Sequence, residues 1–453
     1  MIIVGLSSVG LVYGYVGSTT TATVESHLTD QGVKNSQKQI VPLREEITVI
    51  ATDSNSWRGD ASSGPRARAE LVAFNPNGSI LYYNDSHTRY WDVDPVPGTK
   101  TTVEYMFADH LGPSACPDTW NYAQRRVNEG IWKQYEDARS TDACTQNGYE
   151  RVNLTTGEVT RIWSEVTPGK EATRYHDADR LNRTHLVVAD IYLDRVFIVN
   201  TTSGQTEWAW NASSALSRET GGPYPDDWTH INDIEVLDDG RLMVSARNQD
   251  RVVFLNRSGL VDEWTLGEED DYSILYEQHN PDYIPAARGG PAVLVADSEN
   301  NRVVEYQRAG GSWRQAWEWR DARMQWPRDA DRLPNGHTLI TDSNGNRVFE
   351  VDEQGEVVWS VNIAFPYEAE RLGTGDESSG GPSATRIHLD SQRGDLGDRV
   401  LILAKQFVPG KYLNGLMYIT PVWIGLLEVF ELVTLLATCL LWAGVEGLWR
   451  KRS

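Results

Sequence analysis

Three histidines, His176, His230 and His279, open consecutive repeat units at what reads as one position. The densest local pattern is Trp228-Thr-His-Ile-Asn-Asp233. It is followed one strand later by Ser245-Ala-Arg-Asn-Gln249, and then by Glu277-Gln-His-Asn280. An antiparallel return of that length sets His230, Asn232 and Arg247 beside one another. Imidazoles, an amide and a guanidinium in one pocket suit attack by a neutral ring nitrogen, with the donors meeting charge that spreads onto oxygens. A lone channel histidine is more often a hydrogen-bonded structural residue, but three at one repeat position with an Arg one strand away favour function. His87, His110, His185, His337 and His388 lack such company and are expected at surfaces or turns.

The elements that must position these groups recur at a period of about 50 residues. Copies run from His176, His230, His279 and Pro327, each a set of short alternating apolar strands broken by Gly, Asn and Asp turns. This is the four-strand rhythm of a propeller blade. Arg195, Arg251, Arg302 and Arg347 precede the same Val in four copies. With Asp190, Asp297 and Asp342 they read as turn and inter-blade hydrogen bonds rather than chemistry. Weaker copies lie at Ala69–Met106 and in the stretch ending YERVNLTTGEVTRIWSEV, which brings the expected architecture to an all-β, six-bladed β-propeller over residues 46–408. Residues 387–406 are expected to add strands, with a seventh blade left open. The repeated start of each blade lies near the central channel, so the three imidazoles should converge there.

In these three short motifs, W-x-H-x-N, S-x-R-x-Q and Q-H, the chain resembles the PAPS-independent arylsulfotransferase family, and the resemblance extends from Glu171 to Val361. It implies transfer of a sulfuryl group from an aryl sulfate donor to a phenolic acceptor on a six-bladed propeller, with no metal or other cofactor. It also implies that His279 is the nucleophile that becomes a transient sulfohistidine. His230, Asn232 and Arg247 would bind sulfuryl oxygens, and His176 would be a further channel histidine. The family's bacterial members carry an additional amino-terminal β domain that this chain has no room for, and they lack its carboxy-terminal apolar run. The competing reading is a non-catalytic propeller of the NHL or quinoprotein-like kind that binds a surface glycan or a protein. A hydrolase or lyase built on the same histidines is a third.

Acidic residues outnumber basic ones 64 to 42, which argues against a nucleic-acid partner. Only 8 of the 42 basic residues are Lys, so the surface resembles those of proteins from high-salt organisms, where charge repulsion is screened. Cys116 and Cys144 form a plausible disulfide, and seven Asn-x-Ser/Thr sequons fall in the polar body, both consistent with an extracytoplasmic, glycosylated protein. Residues 1–17 read as a signal peptide or an amino-terminal anchor without the usual preceding positive charge, and 18–45 as a linker. Residues 418–449 are long and apolar enough to span a bilayer. The basic tail 450–453 behind them would place the carboxy terminus in the cytoplasm and the propeller outside the cell membrane. Glu428 and Glu431 interrupt this run and imply a polar partner or a broken helix. Asp297-Ser-Glu-Asn-Asn and Asp342-Ser-Asn-Gly-Asn resemble calcium loops without completing the EF-hand pattern.

Overall fold

A computed structural model describes residue 11 and residues 38–53, 69–120, 124–138, 143–394, 396–405, 408–420 and 424–450. The amino-terminal segment 1–17, apart from residue 11, lies outside these. Twenty-four strands form six four-stranded antiparallel sheets arranged as the blades of a propeller. Blade 1 runs from Arg89 to Pro168, blade 2 from Ala178 to Asn211, blade 3 from Ile231 to Leu260, blade 4 from His279 to Trp319 and blade 5 from Pro327 to Asn362. Blade 6 is composite. Its innermost strand, Pro366–Arg371, comes from the end of the chain and pairs with Thr48–Thr52 from the beginning, Glu370 opposite Val49. Joining the two termini in one sheet closes the ring and leaves no free edge between first and last blades.

Two expectations are corrected here. The weak copy at Ala69–Met106 is not one blade, because Leu71–Asn84 completes blade 6 and Arg89 opens blade 1. Residues 387–406 add no blade. Beyond Ala384–Ile387 (α2), the apolar run Leu396–Lys405 is a helix (α3), with Asp398 in its first turn and Lys405 in its last, the charge order a helix dipole favours. Helix α1, Glu129–Asp137, lies in the long insertion between strands of blade 1 and buries Trp132 and Tyr135. Helices Gly410–Ile419 (α4) and Leu426–Arg450 (α5) end the described chain. Within α5, Glu428–Arg450 is the one span among the described residues long and apolar enough to cross a membrane, with mean hydropathy 1.7 and none of its most apolar window buried.

Neighbouring blades interlock through side chains of their broad faces. One core joins Val187, Ile198 and Phe197's neighbour Val196 of blade 2 to Ile234, Val244 and Val253 of blade 3. Each such aliphatic side chain stabilises the fold by about 1.5–3 kcal/mol when fully buried. The Arg-before-Val residues act as expected inside each blade: Arg195 pairs with Asp190 at 2.7 Å, Arg302 with Asp297 and Arg347 with Asp342 at 2.9 Å. In blade 3 the acidic partner is replaced by Ala246, which lies opposite Arg251. Cys116 and Cys144 are disulfide-bonded, tying the blade 1 insertion to a neighbouring strand.

Candidate functional site

Six tetrapeptides, one per innermost strand, build the central channel: Trp91-Asp-Val-Asp94, His176-Asp-Ala-Asp179, Asn232-Asp-Ile-Glu235, His279-Asn-Pro-Asp282, Arg328-Asp-Ala-Asp331 and Tyr367-Glu-Ala-Glu370. The strand pairing shifts by one residue at this motif in blades 1, 3, 4, 5 and 6. A bulge of this kind bends the strand and re-aims the side chain at its crest. The first position of each tetrapeptide faces the mouth of the channel, where the rings gather. His176 lies 4.2 Å from Trp91 and 5.6 Å from Tyr367 between ring centroids, and His279 lies 6.2 Å from Tyr367. The Arg328 guanidinium sits 4.7 Å over the Tyr367 ring and is held by Asp53 at 3.0 Å, a carboxylate that also takes Arg89 at 2.7 Å.

This register corrects the expectation that the three histidines are equivalent. His176 and His279 share the first position, but blade 3 puts Asn232 there and His230 two residues upstream. At that upstream position the chain is left-handed in four blades, with φ of +47° at His230, +44° at Glu277, +57° at Trp326 and +52° at Phe365. The conformation is costly for non-glycine residues, and it turns His230 into the same mouth, 5.3 Å from the His176 ring.

The electrostatics keep these rings neutral. Burial pushes the pKa of His176 and of His279 well below the ordinary histidine value, reinforced at His279 by the charges of Arg328 and Arg247. Burial and the Arg247 charge also lower His230, against the pull of Asp227, whose carboxylate is hydrogen-bonded to its Nδ1. Burial opposes ionisation of Asp227, yet His230 and Arg247 hold it below the usual carboxylate range. Ser298 Oγ donates to the Ala296 carbonyl at 3.2 Å and therefore accepts from His279 Nδ1 at 2.8 Å. The neutral His279 ring then carries its lone pair on Nε2.

Among the described residues, buried polar atoms at the mouth without a hydrogen-bond partner include His230 Nε2, Asn232 Oδ1, Trp91 Nε1 and Arg328 Nε. Asn232 Nδ2 donates to the Gln278 carbonyl at 3.2 Å, which fixes the amide against the strand that carries His279. Arg247 sits on the rim, its Nε on Asn248 Oδ1 at 2.9 Å and its guanidinium 3.8 Å from Glu277. All five residues singled out in the sequence thus border one mouth. Trp91, Arg328, Tyr367, Asp227 and Ser298 border it too and were missed. The signal for the first three was the tetrapeptide itself, acidic at its fourth position in every blade and at its second in every blade but the fourth, which has Asn280.

His87 and His110 correct a different expectation, since both are buried in blade 1. His87 stacks on Phe107 and bridges Asp109 and Glu150, so its pKa is raised despite burial, while burial and the charges of Arg174 and Arg89 push His110 down to about 2.

Helix α4 lies across the mouth. Its Lys411 bonds Glu277, Asn414 Nδ2 donates to Glu299 at 2.8 Å, and the Tyr418 ring sits 5.9 Å from Trp326 and 5.4 Å from Phe365.

A six-bladed propeller with a buried, neutral histidine cluster at one end of its channel is the class that fold and site define. The model of the arylsulfotransferase (ASST) family matches residues 211–364, a stretch that holds His230, Asn232, Arg247 and His279 but not His176. No curated protein matches the chain. Among solved structures, the chain is similar to a Bacteroides caccae protein of unknown function at 10% identity, covering 72% of this chain and 99% of that one, with a TM-score of 0.44. A periplasmic gluconolactonase of Pseudomonas aeruginosa is 13% identical over 73% of this chain and 99% of its own, TM-score 0.43. An inactivated virginiamycin B lyase of Staphylococcus aureus with quinupristin is 8% identical over 76% and 91%, TM-score 0.38. Likeness at this level carries no argument about activity.

Proposed function

We propose that the protein is a PAPS-independent aryl sulfotransferase that works through a histidine intermediate. The observation that carries this reading is the buried His279 ring beside His230 and Arg247, its Nδ1 bonded to the Ser298 hydroxyl at 2.8 Å and its pKa lowered by burial; with the ring proton on Nδ1, Nε2 is the nucleophilic atom. In the first half-reaction Nε2 attacks sulfur, an N–S bond forms, the S–O bond to the donor breaks, and a phenolate leaves. In the second, the oxygen of an acceptor phenol attacks the same sulfur, the N–S bond breaks, and the phenol proton is released. The donors for the sulfuryl oxygens are Arg247, the Asn232 Nδ2 hydrogen that the Gln278 carbonyl does not take, and His230 Nε2 once it is protonated, partners for charge that grows in the transition state. His176 and Tyr367 line the other side. The family match over residues 211–364, a stretch that holds His230, Asn232, Arg247 and His279, supports the class of reaction.

The reading also includes anchorage. Helix α4, which crosses the mouth, ends at Ile419, and the apolar helix α5 begins at Leu426. A connection this short holds the end of α4 within about 25 Å of the start of α5. The mouth then faces the bilayer, and donor or acceptor reaches it along the membrane surface. The test is turnover of a chromogenic aryl sulfate with and without added phenol, in molar salt. Phenol-stimulated release that disappears in His279→Ala supports the sulfotransferase, and a folded protein that releases nothing from any aryl sulfate points to a binding propeller instead.

A further inference from the structure

Below the mouth the channel changes character. The fourth position of every tetrapeptide is acidic, so Asp94, Asp179, Glu235, Asp282, Asp331 and Glu370 form a ring with one carboxyl from each blade. Among the described residues no Lys or Arg pairs with any of the six. The basic residues next to three of them are engaged elsewhere, Arg180 with Glu104, Arg332 with Glu305 and Arg371 with Glu350. Several of the acidic oxygens have structural duties. Asp179 accepts from the Val236 backbone at 2.6 Å, Glu235 from the Tyr283 backbone at 2.7 Å, and Glu370 Oε1 from the Glu377 backbone at 3.0 Å. Asp94 accepts from the Tyr149 hydroxyl at 2.7 Å.

On one side of the ring the carboxyls crowd. Asp282, Asp329 and Asp331 are all buried and each offers an oxygen within 4.8 Å of the other two; Asp329 Oδ2 accepts from the Ala369 backbone at 3.1 Å and from the Thr341 hydroxyl at 3.2 Å, which leaves the remaining oxygens of the trio crowded against one another. Among the described residues Asp331 Oδ2 has no hydrogen-bond partner, and Asp331 is 2% exposed. Glu370, outside this trio but a charge felt by Asp331, also holds a partnerless Oε2 at 2% exposure. Ser378, in the turn Glu377–Gly380 that closes this end of the channel, spends its hydroxyl proton on Asp282. Buried carboxylate oxygens without donors cost free energy, and like charges this close cannot all stay ionised without a counter-charge. A separation below 4.8 Å is what two oxygens show when both sit 2.3–2.6 Å from one hard cation.

We propose that Asp282, Asp329 and Asp331, with Glu370 beside them, bind a divalent cation of the calcium type in the channel below the histidine mouth. Three or four carboxylates from blades 4, 5 and 6 make an oxygen site of high charge, and water or further carbonyls would complete its shell. The ion ties blades 4, 5 and 6 together, so its effect is on stability and not on the sulfuryl chemistry. An all-carboxylate cage with no fixed octahedral geometry suits calcium better than magnesium.

The test uses the full-length protein in detergent, stripped with EDTA, re-equilibrated with calcium chloride and measured for bound calcium and thermal unfolding at fixed ionic strength. The expected result is bound calcium near one per chain, and a saturable rise in Tm that EDTA reverses and potassium chloride does not reproduce. Asp331→Asn should weaken calcium binding about tenfold or more, because charge count sets affinity in such sites. Aryl sulfate turnover per folded molecule should be unchanged. No stoichiometric calcium, or a Tm rise that potassium chloride matches, overturns the proposal. Should Asp331→Asn fail to fold, the wild-type titration decides alone.

Discussion

The two ends of the channel are built by the same tetrapeptide and do opposite things with it. At the first position every blade but one pair differs: Trp91, His176, Asn232, His279, Arg328, Tyr367. At the fourth position all six are acidic. The mouth gathers aromatic and basic groups that stay neutral or cationic, while the floor gathers carboxyls whose pKa burial and mutual repulsion push upward, as at Asp282 and Asp331. Within a repeat, positions that agree from blade to blade carry what all blades share, and positions that diverge carry what the molecule does in one place. The second position shows the shared role directly. Asp92 accepts from the Ala178 backbone at 3.2 Å, Asp329 from Ala369 at 3.1 Å and Glu368 from Val93 at 2.6 Å, each binding one blade to the next.

If that division holds, substitutions at the mouth and at the floor separate cleanly into lost turnover and altered stability. The largest effect is expected for His279→Ala, which removes the nucleophile and should lower kcat/KM for aryl sulfates by about 10³-fold or more while leaving the melting temperature nearly unchanged. Next is Asp227→Asn. It keeps the shape of the site but takes away the carboxylate that orients His230, so turnover should fall about 10- to 100-fold, with a larger loss in kcat than in KM if His230 serves the transition state.

The pH dependence sharpens the contrast further. The folded-state pKa of His279 lies below the ordinary value near 6.5. The base form therefore persists in the native protein below that pH, and the acid limb of kcat/KM should fall well under pH 6.5. The same buried neutral rings bind fewer protons than they do in the unfolded chain, so their contribution to stability is complete above about pH 6.5 and declines as pH falls below it. A rate profile that breaks at or above pH 6.5 would contradict this account of the mouth.

The smallest effect belongs to the floor. In EDTA, Asp331→Asn removes one of several crowded carboxyls and should raise Tm by about 1–2 °C, the shift that about 1 kcal/mol gives in a domain of this size. Thermal unfolding in chelator reads it, and a fall in Tm would mean that Asp331 holds the blades by a contact of its own.

Much of this was legible in the sequence, and the failures have physical causes. Four blades could be read directly because Arg195, Arg251, Arg302 and Arg347 mark the same turn before the same Val. The border between blades 6 and 1 could not, since blade 6 borrows Pro366–Arg371 from the far end of the chain and no local pattern announces a strand pairing across 300 residues. Residues 396–405 have an apolar run short enough to suit either a strand or a buried helix, and periodicity alone does not separate the two. His230 was placed in register with His176 because both open a repeat. Only the left-handed turn before Asn232 shows that the chain reaches the mouth from a different position. His87 and His110 sit in the least regular blade, where no repeat flagged their burial. The acidic floor went unread because single Asp and Glu residues look like turn formers until strand register stacks them into a ring.

The most direct test of the central claim is to mix the protein rapidly with an aryl sulfate in the absence of acceptor and map the product by peptide mass spectrometry. The account predicts one sulfuryl group on His279, discharged on addition of a phenol and missing from His279→Ala. A sulfuryl group found on another residue, or phenol-dependent turnover that proceeds with no labelled histidine, would contradict it.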